Sequence, residues 1–207
     1  MSEERKKFII MFDLEYLGKD DKDAQILDIG VAWGTSIVDI ASKQYLPAWQ
    51  KDSVINPETL KFWVGHNPSV LSQYLSNTVP MQYIVRELMQ LLSTLKNHAE
   101  SANMDVIVMS KGITHDLPKL EYQLETHFPI EAYCKPGFGI FESLFGYNCR
   151  RDMRSITMYR SEELLKEATE FSVDYANKKI AGKELHDAQW DAVSQLAKVL
   201  YIAHKSE

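Results

Sequence analysis

Carboxylates that close apolar segments are the residues in this sequence best suited to chemistry. The run Phe8-Ile9-Ile10-Met11-Phe12 ends in Asp13-Leu14-Glu15. Residues two apart on a strand share a face, so both carboxylates point the same way directly after an apolar strand. Two like charges there are costly unless a cation joins them, and divalent cations take carboxylate oxygens. The competing reading is a pair of solvated acids in a strand-end loop. Asp116, in Ser110-Lys111-Gly112-Ile113-Thr114-His115-Asp116, follows a second apolar strand, Asp105 to Met109. It suits a helix N-cap, and the same place faces the ligand crevice at the carboxyl ends of α/β strands; both jobs stay open. A third cluster is His186-Asp187-Ala188-Gln189-Trp190-Asp191. Val193, Leu196, Ala197, Leu200 and Tyr201 mark one apolar helical face beyond it. At ~100° per residue, Asp191 falls about 150° from the centre of that face and is free to meet a cleft. Asp187 reads as the N-cap, Trp190 as packing, and His186 as a loop residue, either at the surface or beside the cleft.

The elements that must carry these groups follow from periodicity. Ile26 to Trp33 is a strand candidate, Gly34-Thr35-Ser36 a turn, and Ile37-Val38-Asp39-Ile40 the expected start of a third strand, together a hairpin. Ile84, Leu88, Leu91, Leu92 and Leu95 repeat at the helical period behind Pro80, and Leu117, Leu120 and Leu124 do the same after Asp116. A further strand is expected around Gly139 to Leu144. An early hairpin followed by alternating helices and strands predicts one α/β domain over residues 1–207, with a mixed sheet.

Taken together, Asp13, Glu15, Asp116 and Asp191, with His186 five residues before the last, resemble the DEDDh 3'-5' exonucleases of the ribonuclease-H-like fold. A narrower likeness, to phage-type exonuclease A and its exodeoxyribonuclease VIII-like relatives, rests on Asp-x-Glu-x-x-Gly at Asp13 to Gly18, on Thr59-Leu60-Lys61-Phe62-Trp63, and on Arg151-Asp152-Met153-Arg154-Ser155. Where that family has two adjacent tryptophans preceded by Glu and followed by Gln, this chain has Phe62, Lys61 and His66. The resemblance implies a ribonuclease-H-like mixed β-sheet flanked by α-helices. It also implies two divalent cations, Mg²⁺ or Mn²⁺, on Asp13, Glu15, Asp116 and Asp191, with His186 as general base. The implied substrate is single-stranded nucleic acid with a free 3' end, DNA ahead of RNA, degraded to 5'-mononucleotides. Tyr16 and Leu17 would meet the terminal base or sugar. Phe62 and Trp63 would stack on bases or else fill the core, and Arg151 and Arg154 would hold phosphate or else stay solvated around a capping Asp152. Many relatives are dimers, so a homodimer joins the expected partners.

Composition limits the alternatives. No apolar run has membrane-spanning length, the N-terminus does not read as a signal peptide, and two cysteines, Cys134 and Cys149, make no disulfide framework; a reduced, cytoplasmic protein is expected. A net charge of −6 excludes a broad basic nucleic-acid face. Setting aside the four site acids leaves about −2 of that −6, compatible with a grip on a few terminal nucleotides. The remaining readings are an exoribonuclease trimming RNA 3' ends, a catalytically silent binding module of the same fold, and a generic α/β domain.

Overall fold

The computed structural model describes residues 5–129, 134, 138–183 and 185–206. Met1 to Glu4, which open the N-terminal reading above, lie outside the described residues. Among the described residues five strands form one sheet in the order β3-β2-β1-β4-β5. The ranges are β1 Lys7–Tyr16, β2 Ile26–Gly34, β3 Ala41–Tyr45, β4 Asp105–Ser110 and β5 Arg150–Asp152. β1 sits in the middle, antiparallel to β2 and parallel to β4, so the sheet is mixed as expected. Helices α1 Pro57–His66 and α2 Pro68–Leu75 follow β3; α3 Met81–Ser101 precedes β4; α4 Asp116–His127 and α5 Ile140–Phe145 precede β5; α6 Met153–Thr157, α7 Glu162–Lys179 and α8 Ala188–Lys205 complete the fold. Among the described residues no helix is long and apolar enough to cross a membrane.

The continuous apolar run of β1 is explained by burial on both faces. Phe8, Ile10, Phe12 and Leu14 pack on one side with Ile84, Leu88 and Leu92 of α3 and Leu117, Leu120 and Leu124 of α4. Ile9 and Met11 face the opposite way, into a second core with Val193, Leu196, Ala197 and Leu200 of α8. Asp13 and Glu15 continue this second set, so strand parity aims them at α8. A smaller third core joins Leu17 and Leu27 to Trp63, Leu71 and Tyr74 of α1 and α2.

Two segments expected in strands are helical instead, although the expected third strand forms just beyond the first of them. Ile37–Asp39 is a single 3-10 turn, because the Asp39 carboxylate accepts hydrogen bonds from the Thr35 and Ser36 amides (3.0 and 2.7 Å) and the Thr35 hydroxyl (2.6 Å). Such local bonding competes with a ladder, and the strand begins only at Ala41. The Gly139 to Leu144 segment forms α5, whose Ile140 and Phe141 are fully buried while Glu142 turns to the Arg150 guanidinium at 2.5 Å. Apolar contact and a charged anchor on successive residues fit a helical turn better than strand alternation.

Candidate active site

The acid pair at the end of β1 meets the first turn of α8. Ligand-capable oxygens of Asp13, Glu15 and Asp191 all lie within 4.8 Å of one another. Asp191 is held by accepting the His186 amide at 2.9 Å, and Asp13 accepts the Gln195 side-chain amide at 2.7 Å. Gln195 is four residues beyond Asp191, so the same helix face carries both. Burial, then Asp191, Asp116 and Glu15, push the Asp13 carboxyl well above its ordinary range. Burial likewise moves Asp191 up to about 6. Three converging carboxylates with too little positive charge around them are what a divalent cation neutralises, and an all-oxygen set suits Mg²⁺ or Mn²⁺.

Asp116 stands beside this trio but outside the 4.8 Å group. It is not the N-cap of α4, a place taken by His115, which leaves its carboxylate for the acid cluster. Burial raises it to about 7, with the Lys119 ammonium pulling the other way and Glu15 pushing up. The turn that delivers it is fixed by Gly112 in a left-handed conformation (φ 96°) and by Asp152, whose carboxylate accepts the Gly112 and Ile113 amides at 3.3 Å each. Asp152 also caps α6 through the Arg154 amide at 2.8 Å.

His186 sits on the loop before α8 with φ 71°, a conformation that costs a non-glycine residue about 1–3 kcal/mol. Its Nδ1 lies 3.8 Å from Glu15 Oε1, and contact with Glu15 raises its pKa against the opposing pull of burial. The ring is edge-on to Phe62 and Trp63, with centroids at 6.0 and 6.2 Å. Asp187 caps α8 by accepting the Trp190 amide at 3.1 Å, as its sequence position suggests, and Trp190 itself is buried packing. A cleft of about 440 Å³ opens beside the acids, lined by Leu14, Glu15, Tyr16, Gly18, Lys19, Asp20, Thr59, Phe62, Trp63, His115 and His186.

Phe62 is 41% exposed and lines the cleft, with one ring face stacked on His66 at 4.5 Å. Tyr16 borders the cleft, its ring under the Lys119 ammonium at 4.3 Å; burial and the surrounding acids push its phenol up to about 12. Burial and contacts sort three of the expected substrate-facing residues. Leu17 has no exposed surface and packs with Leu27 and Leu71, and Trp63 is 2% exposed in the same core. Trp63 therefore backs the cleft wall instead of offering a free stacking face. Arg151 donates to the Asn148 and Arg150 carbonyls and borders a cavity with Lys7 and Asp105, at the opposite end of the strands from Asp13. Arg154, by contrast, acts electrostatically on Asp116 from beside Gly112. Lys111 is a cation near Asp191 that sequence reading passed over, although its place directly after β4 marked it.

Residues 9–203 match the family described as the 3'-5' exoribonuclease Rv2179c-like domain. The chain belongs to this family. No protein of curated function matches the sequence. The ribonuclease-H-like mixed sheet flanked by helices in this Rv2179c-like chain is similar in fold to part of exonuclease I. Escherichia coli exonuclease I in complex with a dA16 oligonucleotide aligns with 96% of this chain and 41% of its own at 12% identity and TM-score 0.58. Exonuclease I from Methylocaldum szegediense aligns with 97% and 41% at 13% identity and TM-score 0.56. The zinc-bound E. coli exonuclease I–single-stranded DNA complex aligns with 97% and 41% at 14% identity and TM-score 0.58. The Rv2179c-like chain thus spans about 41% of the length of these structures.

Proposed function

We propose that this chain is a metal-dependent 3'-5' exonuclease that removes nucleotides one at a time from the free 3' end of a single-stranded nucleic acid. The observation that carries the reading is the meeting of Asp13, Glu15 and Asp191 within 4.8 Å, with His186 against Glu15 at the mouth of one cleft. Asp13, Glu15, Asp191 and Asp116 would hold two divalent cations, Mg²⁺ or Mn²⁺. When bound, these supply an acidified water and shield the phosphate charge. The His186 imidazole would take the proton from the attacking water as the water oxygen bonds to phosphorus. The bond from phosphorus to the 3' oxygen of the preceding nucleotide breaks, that oxygen gains a proton, and a 5'-mononucleotide leaves. Phe62 stacks on a base near the 3' end, Tyr16 flanks the terminal sugar, and Arg154 and Lys111 lie on the side where a phosphate would pass.

RNA is the better supported substrate, since the family match spans residues 9–203 and its description names an exoribonuclease. The second reading, DNA, is favoured by the narrower phage-type resemblance at Asp13 to Gly18 and by the oligodeoxynucleotide bound to a protein of similar fold. The test uses 5'-labelled single-stranded RNA and DNA of one sequence, with Mg²⁺, Mn²⁺ or EDTA. Metal-dependent ladders shortening from the 3' end are expected, faster on RNA. Equal or greater speed on DNA would reverse the substrate order, and intact strands under every metal would leave a binding module. A single domain, a homodimer and a cytoplasmic location belong to the same proposal; light scattering on the purified chain reads the dimer.

A further inference from the structure

The strand β2 carries none of the acids above, yet its second face is built against the first turn of α8. Asp28, opposite Glu15 in the β1–β2 ladder, is completely buried. Its Oδ2 accepts three hydrogen bonds, from the Gln44 side-chain amide (2.7 Å), the Ala188 amide (3.0 Å) and the Tyr74 hydroxyl (3.1 Å). The Tyr74 hydroxyl is also 3.1 Å from the His186 carbonyl, so one hydroxyl hydrogen serves the carboxylate and the loop together. Asp28 Oδ1 is buried without a hydrogen-bond partner, a cost that three acceptor contacts alone do not require of a carboxylate. Two residues along the same face, a Cβ on Gly30 would fall 1.9 Å from the Ala188 carbonyl oxygen, so β2 and α8 touch backbone to backbone.

The amide, the carbonyl and the ring Nδ1 of the strained His186 residue each face a partner. Its amide goes to Asp191, its carbonyl to Tyr74, and its imidazole lies against Glu15. A left-handed non-glycine residue persists only where its surroundings over-determine it. We infer that Asp28 and Tyr74 are positioning residues, which hold the His186 carbonyl and the Ala188 amide so that the imidazole stays against Glu15 and Asp191 stays beside Asp13. The inference rests on the functional reading above, because it assigns what these two residues do for that chemistry.

Tyr74→Phe isolates the effect, since it keeps the ring packed edge-on to Trp63 (5.9 Å, 78°) and removes only the hydroxyl. The expected result is a fall in kcat of about tenfold or more, with KM within about twofold, for the loss of an interaction that acts on the reacting geometry and not on substrate binding. In a His186→Ala background the same change should cost clearly less, since only its hold on Asp191 through the residue-186 backbone remains. Asp28→Asn, which keeps the shape and weakens the acceptor, should behave alike. A readout independent of turnover is the ring-proton NMR shift of His186, set by Phe62 and Trp63; it should move in both variants. If the wild type has no nuclease activity with any metal, the functional reading fails, while the NMR shift still tests positioning. Wild-type kcat in Tyr74→Phe, an unmoved imidazole resonance, or an undiminished fall in the His186→Ala background would each overturn the inference.

Discussion

Asp13 carries the heaviest electrostatic load at the site, buried among Asp191, Asp116 and Glu15 with the Gln195 amide as its hydrogen-bond donor. Removing its charge should therefore help the metal-free fold and harm the metal-bound one. Asp13→Asn is expected to raise the melting temperature in EDTA, to abolish the stabilisation that millimolar Mg²⁺ should give the wild type, and to eliminate turnover. Paired thermal melts with and without Mg²⁺ check all but the last, which the strand-shortening assay reads. His186→Ala should divide differently: the Mg²⁺-dependent shift persists, because no acid is lost, while the rate drops by about 10²-fold or more, the usual contribution of a general base. Equal loss of both would mean that the imidazole helps to hold the cation.

At the level of elements, strand parity and helix docking do the assembling. Phe8, Ile10 and Phe12 commit one face of β1 to α3 and α4, which leaves Asp13 and Glu15 no choice but the α8 side. The first turn of α8 is then placed by β2, through Asp28 and through the close approach at Gly30. Gly30→Ala puts a methyl group 1.9 Å from the Ala188 carbonyl oxygen, a backbone atom that cannot swing aside. The variant should lose about 2 kcal/mol or more of stability, with activity falling further than the unfolded fraction explains, because Asp191 and His186 move with the helix. Chemical denaturation and kcat measured at one temperature separate the two losses.

For the whole molecule, the buried acids make stability depend on pH in an unusual direction. Asp13 is raised well above the ordinary range, Asp28 and Asp116 to about 7 and Asp191 to about 6, each with burial as the main cause. Their folded pKa values exceed the unfolded value of about 4, so the folded state binds more protons and stability falls as pH rises between those limits. Without metal, the melting temperature should decline from about pH 5 to pH 7, by an amount on the order of a few kcal/mol in stability. Mg²⁺ should flatten the slope, since cations take over the role of those protons. A metal-free melting temperature that climbs through this range would contradict the placement of the acids. The net charge of −6 predicts in addition a weak salt dependence. The logarithm of kcat/KM against the logarithm of salt concentration should have a slope of about −0.7 to −1.4, as for one or two phosphate contacts on a single strand.

The sequence by itself determined what is local. The apolar run into Asp13-x-Glu15, the helical stripe behind Asp191, the cap at Asp187 and the acid after β4 all follow from spacings of two to seven residues, over which backbone geometry alone sets direction. What depended on the tertiary structure was every partner brought from far along the chain. Gln195 reaches Asp13 across 182 positions, Asp28 reaches Ala188 across 160, and Tyr74 reaches His186 across 112. No local pattern encodes such pairs, because sheet register and helix packing fix them only once the chain has closed. The same holds for the residues whose surroundings changed their use. Leu17 and Trp63 lie in a core that α1 and α2 complete, Arg151 turns to the far end of the strands, and 140–145 becomes a helix once Arg150 and the core claim it. The acids of the candidate site were legible because their types and chain order together resemble a known family, each cluster alone leaving a structural reading open. Their support was not, because packing alone selects it.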